Sequence, residues 1–121
     1  MIDLISQHYN GNIILNPALA GDDLKRARES FPEKLCQILE QSNGIRTNVE
    51  ESVSWIIYPY EKIVEETEFY NSNYFLEGAI FSANGAGEAY YIDNDGYVYR
   101  FDVTDNADVV VANSIEEFFR D

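Results

Sequence analysis

Glu88-Ala89-Tyr90-Tyr91-Ile92-Asp93-Asn94-Asp95-Gly96-Tyr97-Val98-Tyr99-Arg100-Phe101-Asp102 decides the fold. Two strand-like runs, rich in aromatic and β-branched residues, flank Asn94-Asp95-Gly96, a turn with glycine where φ is positive. The stretch therefore reads as a β-hairpin. A two-residue loop would put Tyr90 and Ile92 on the face of Tyr97, Tyr99 and Phe101. A three-residue loop would change that register. Asp93-Asn94-Asp95-Gly96 also has the look of a calcium loop. Counted from Asp93, however, glycine stands at the fourth place rather than the sixth, and Thr104 stands where the bidentate Glu belongs.

Upstream, Ala79-Ile80-Phe81-Ser82-Ala83 reads as a short buried strand and Asn84-Gly85-Ala86-Gly87 as a turn. That Gly-x-Gly precedes no Lys-Ser/Thr and opens no helix, so a phosphate cradle does not fit. Val53-Ser54-Trp55-Ile56-Ile57 reads as another strand, stopped at Tyr58-Pro59. A helix follows from Tyr60 to about Tyr70, with Ile63, Val64 and Thr67 on one side and Glu61, Glu65, Glu66 and Glu68 mostly outward. Earlier, Asp22 or Asp23 caps a helix that Phe31-Pro32 breaks. Ser30 and Glu33 have capping-box spacing around Pro32. Leu35, Ile38 and Leu39 then face the core of a second helix, which Asn43-Gly44 ends. Downstream, Val109-Val110-Val111 is a short strand, and the box Ser114-Ile115-Glu116-Glu117 opens a last helix anchored by Ile115, Phe118 and Phe119. The first twenty residues carry the weakest pattern, with Ile13-Ile14-Leu15 a short strand or an extended arm. This order predicts an α+β fold with a mainly antiparallel sheet and flanking helices. The expected organisation is a single domain over residues 1–121, with an arm over 1–21 and a core over 22–120.

Length and composition agree with one globular domain: 121 residues, 45% hydrophobic. The net charge is −14. Residues 1–44 carry six acids and four bases, whereas residues 45–121 carry sixteen acids and four bases, net −12. Such a field opposes nucleic acid and anionic membranes and attracts a basic protein. Its bland counterpart is solubility alone. Cys36 is the sole cysteine, so no internal disulfide can form, and its apolar neighbours read it as a buried structural thiol. The start shows neither a signal peptide nor a membrane span, which predicts a cytoplasmic protein.

Catalytic chemistry finds little footing. His8 is the single histidine and has no evident Ser or Cys partner, which leaves it a packing or surface role. Zinc spacing is missing, and no metal or cofactor is expected. The expectation is a binding protein, not an enzyme. A carboxylate-based hydrolase is the contrary case and requires a pocket with two carboxyl groups of separated pKa.

The order of these motifs resembles the SUKH superfamily, whose fold is shared by many bacterial toxin-immunity proteins and a fungal cell-wall regulator. Phe31-Pro32 with Leu35, Ile38, Leu39 and Asn43-Gly44 is similar to its opening helix. Ile57-Tyr58-Pro59-Tyr60-Glu61-Lys62-Ile63 is similar to the strand-then-helix that follows. Residues 80–93, Gly96-Tyr97-Val98-Tyr99 and Ala112 to Phe119 are similar to the core strands and closing helix. Phe31 and Ile115 stand where the family more often has Leu and Phe. The resemblance spans about residues 22–120 and implies tight inhibition of a cognate toxin, often a nuclease. Glu65, Glu66, Glu68, Glu88, Asp93, Asp95 and Asp102 are the candidate contacts to such a basic partner, with Tyr97 or Tyr99 as aromatic anchors. A regulatory or scaffold module with a non-toxin partner is the alternative.

Overall fold

The structure, a computed structural model, describes residues 1–48 and 54–120. Among them the order is α1 (Ile2–His8), β1 (Ile13–Leu15), α2 (Gly21–Ser30), α3 (Glu33–Leu39), β2 (Ile45–Thr47), β3 (Trp55–Ile57), α4 (Tyr60–Tyr74), β4 (Ala79–Ala83), β5 (Glu88–Ile92), β6 (Val98–Asp102), β7 (Ala107–Ala112) and α5 (Ile115–Arg120). The fold is α+β, as the pattern predicts. Val53, read as the start of a strand, lies outside the described residues.

Two antiparallel sheets carry the architecture. One runs β1-β2-β3 and the other is the meander β4-β5-β6-β7. They meet where the Tyr58 N–H donates to the Phe81 carbonyl at 2.8 Å. Pro59 follows, cannot donate to a ladder, and turns the chain into α4. On one face of the meander, Tyr70 and Tyr74 of α4 pack on Phe101, with ring centroids 5.9 and 4.9 Å away. On the other, Phe118 of α5 meets Phe81 and Tyr90 at 5.8 and 5.0 Å. Fully buried Phe81, Ile80, Ile92, Val98 and Ile115 fill the layers between.

The weakly patterned start is ordered structure. α1 packs against α5, Ile5 is 0% exposed, and His8 lies edge-on to Phe119 at 6.1 Å. Ile13–Leu15 form a strand paired with β2. Strand β2 escaped the sequence pattern because it is only three residues long and just Ile45 is buried.

Several local expectations change. Asp22 and Asp23 do not cap α2, since its N-cap is Ala20; they sit in the first turn, where negative charge suits the helix dipole. Phe31 leaves helical space at φ −107°, ψ 153°, as Pro32 demands, but no side chain caps α3. That helix ends at Leu39, before Asn43-Gly44. Asn43 instead accepts the Tyr60 N–H at 2.7 Å, capping α4 from a distance. Gly44, at φ +98°, leaves room for Trp55: a Cβ there would come within 2.9 Å of its ring and 3.0 Å of the Pro59 nitrogen. Cys36 is buried, and its thiol donates to the Ala27 carbonyl at 3.3 Å. The box at Ser114 forms through its Oγ, which accepts the Glu117 N–H at 3.1 Å.

Hairpin register is the main correction. Tyr91 pairs with Tyr99, Ala89 with Phe101 and Tyr90 with Arg100. Tyr90 and Ile92 therefore lie on the face opposite Tyr99 and Phe101. The cause is a three-residue loop. Asp93 and Tyr97 still pair, through a 3.1 Å bond from the Asp93 N–H to the Tyr97 carbonyl, and Gly96 takes φ +92°.

Candidate functional site: an acidic cleft beside the hairpin

Helix α4 runs four residues past Tyr70 and stops at Phe75, which adopts the left-handed conformation at φ 57°, ψ 37°. Its N–H still reaches the Asn71 carbonyl, at 3.2 Å. Thr67, Asn71 and Phe75 recur every four residues and so form one stripe of the helix. That stripe walls a cleft of about 840 Å³. Ser30, Phe31 and Pro32 line it as well. The meander contributes Tyr91, Tyr99, Asp93, Asp95 and Asp108, and the α4–β4 link adds Glu77. Four carboxylates thus share the cleft, and none of its described lining residues is Lys or Arg.

The cleft wall is built around two stacked phenols. Tyr91 and Tyr99, being cross-strand partners, lie parallel within 6° at 4.6 Å. The Tyr99 hydroxyl donates to Asp93 Oδ2 at 2.9 Å, and the Tyr91 hydroxyl donates to Asp108 Oδ2 at 2.5 Å. Burial, and next the bond to Asp108, push the Tyr91 phenol far above its usual range. The bond to Asp93 raises Tyr99, with a smaller contribution from burial. Both stay protonated donors at neutral pH. Gly78 makes the tight approach possible: a Cβ there would lie 2.7 Å from the Ile92 carbonyl oxygen and 2.7 Å from the Tyr91 ring.

Asp93 spends both oxygens inside the hairpin. Its Oδ1 accepts the N–H groups of Asp95 and Tyr97, each at 3.0 Å, while Oδ2 holds Tyr99. It shapes the turn. Asp95 and Glu77 are solvent-exposed, and Asp108 Oδ1 has no hydrogen bond that occupies it in the described network. These are the carboxylate atoms open to a partner. Phe75 completes the rim, 84% exposed.

The structure separates the acids proposed from sequence. Asp93, Asp95 and Tyr99 line the cleft, and Tyr97, 41% exposed, stands beside it on the same loop. Glu65 and Glu68 are exposed on α4 away from the lining, and Glu66 faces Lys62 at 3.8 Å. Glu88 and Asp102 sit at the far end of the hairpin. Glu88 pairs with Arg100 at 2.9 Å, and Asp102 accepts the Thr104 N–H at 2.9 Å to start the next turn. Phe75, Glu77, Tyr91 and Asp108 went unread. The helical spacing of Tyr70 and Tyr74 was the available signal, since it extends α4 to the residue before Phe75.

Among the described residues, no group of three or more His, Cys, Asp or Glu is placed to hold a metal ion, and no helix is long and apolar enough to cross a membrane. A family model described as SMI1 / KNR4 family (SUKH-1) matches residues 24–121. No curated protein matches the chain.

Proposed function

The chain belongs to the SMI1 / KNR4 family (SUKH-1), and from that premise we propose that it is a non-catalytic immunity protein that binds and neutralises a basic toxin domain. The observation carrying this reading is the cleft: four carboxylates, no Lys or Arg among its described lining residues, and an exposed phenylalanine at its rim. A net charge of −14 surrounds it. Nuclease-type toxins present cationic surfaces to their substrates, so an acidic cleft can cover such a surface and steer the encounter. Phe75 supplies the kind of large, desolvatable side chain that concentrates binding energy. The carboxylates serve as charge rather than as acid and base, since Asp93 is committed to the turn and Asp108 to Tyr91.

Co-expression with the toxin-like reading frame next to the gene tests this. The expected result is a co-purifying complex and restored growth. Joint replacement Glu77→Gln and Asp95→Asn is expected to weaken that complex about tenfold or more, chiefly through the association rate. A toxin that neither binds nor is neutralised sinks the proposal. A bound partner without toxicity would favour the regulatory or scaffold module.

A further inference from the structure

Strand β7 is an edge of the four-stranded meander. The opposite edge, β4, is met by the small sheet through the Tyr58–Phe81 bond. On β7, alternate backbone N–H and C=O groups point away from β6 and find no strand among the described residues. Natural edges are blunted by charged residues, especially Lys, by Pro or by bulges; β7 holds no Lys or Pro, and its one charge is Asp108. An irregularity between Val98 and Tyr99 affects only its C-terminal end, leaving Asp108, Val109 and Val110 in register with Phe101, Arg100 and Tyr99. Val109 and Val110 are each 48% exposed. Helix α5 follows β7 and contacts it, yet Val109 and Val110 stay exposed.

We propose that the partner docks by adding an extended basic strand to the free edge of β7, with its cations turned toward the acidic cleft. The inference rests on the reading that the partner is a basic protein. Asp108 joins the two features, since it belongs to β7 and lines the cleft. Its cross-strand pairing places it, with Val110, on the face of Tyr99 and Phe101, while Val109 falls on the opposite face. An added strand with cations at alternate positions sets them beside Asp108 and toward Glu77 and Asp95. Its intervening apolar residues then cover Val109. Main-chain bonds supply affinity in this mode and alternate side chains supply specificity. A second copy of the chain is a poor occupant. Its own β7 would bring Asp108 toward the same acid of the other copy, between bodies of net charge −14.

The probe is a short synthetic peptide of alternating arginine and valine, titrated into the intact protein. Chemical shifts and amide exchange of residues 107–111 are followed by nuclear magnetic resonance. Two control peptides accompany it. One keeps the sequence and charge but is N-methylated at alternate backbone nitrogens, and the other replaces arginine with glutamate. The expected result is slowed exchange along β7 with the first peptide, at least about tenfold weaker binding after N-methylation, and none with the acidic peptide. Equal binding of the methylated and unmethylated basic peptides would overturn strand addition while leaving the basic-partner reading intact. Absence of binding by every peptide, in a protein that does form the toxin complex, would also overturn it. Protection of β7 in the protein alone, with a dimer in sedimentation, would give the edge to a second copy and overturn it as well.

Discussion

Phe75 holds a backbone conformation that costs an L-residue about 1–2 kcal/mol, and its ring, 84% exposed, recovers little by burial. Glycine adopts the same φ without strain but loses more entropy on folding. Phe75→Gly is therefore expected to raise the unfolding free energy by about 0.5–1 kcal/mol, read from the urea midpoint, and to weaken the toxin complex. Stability and binding moving together would show that the ring packs against the domain instead. Single residues also explain what sequence could and could not disclose. Asp93 was legible as a hairpin acid, but a carboxylate facing a partner and one closing a turn look identical in a string of letters. Only the three bonds from Asp95, Tyr97 and Tyr99 distinguish them. Asp108 and Glu77 lie far from Asp93 in the chain, and the fold alone brings them to one cleft.

At the scale of elements, hairpin β5–β6 was readable and its facing was not. Strand runs are recorded in side-chain type, whereas register depends on whether two or three residues close the loop. That one-residue difference moved Tyr91, rather than Tyr90, beside Tyr99 and so created the stacked pair. The end of α4 was missed for a similar reason. No proline or glycine stands in the three residues after Tyr74, and the helix stops by the left-handed turn of Phe75. The link from α4 to β4 then passes close under β5 at Gly78. Gly78→Ala forces a Cβ against the Ile92 carbonyl and the Tyr91 ring, and backbone cannot yield as a flexible side chain would. A loss of about 2 kcal/mol or more is expected in chemical denaturation, with Tyr91 displaced from Asp108. Near-neutral behaviour would mean that the link and β5 can separate without cost.

The whole molecule carries its charge unevenly, with net −12 in residues 45–121. Salt should act on it in two opposite ways. Screening of self-repulsion raises folding stability as ionic strength rises, while the same screening slows association with a basic partner. Thermal unfolding and stopped-flow binding across a sodium chloride series check both signs; stability that falls with salt would assign the net effect to ion pairs such as Glu88–Arg100 rather than to repulsion. Helix α1 has a different bearing at this scale. It lies before residue 24, where the family match begins, yet Ile5 is 0% exposed and the helix covers α5. Strand β1 also precedes that boundary and pairs with β2 along three residues. A shortened chain cut where sequence similarity starts would strip the outer strand from one sheet and uncover the aromatic surface of α5. The limits of recognisable ancestry and the limits of the cooperative unit do not coincide here, and protein engineering on this scaffold should respect the second.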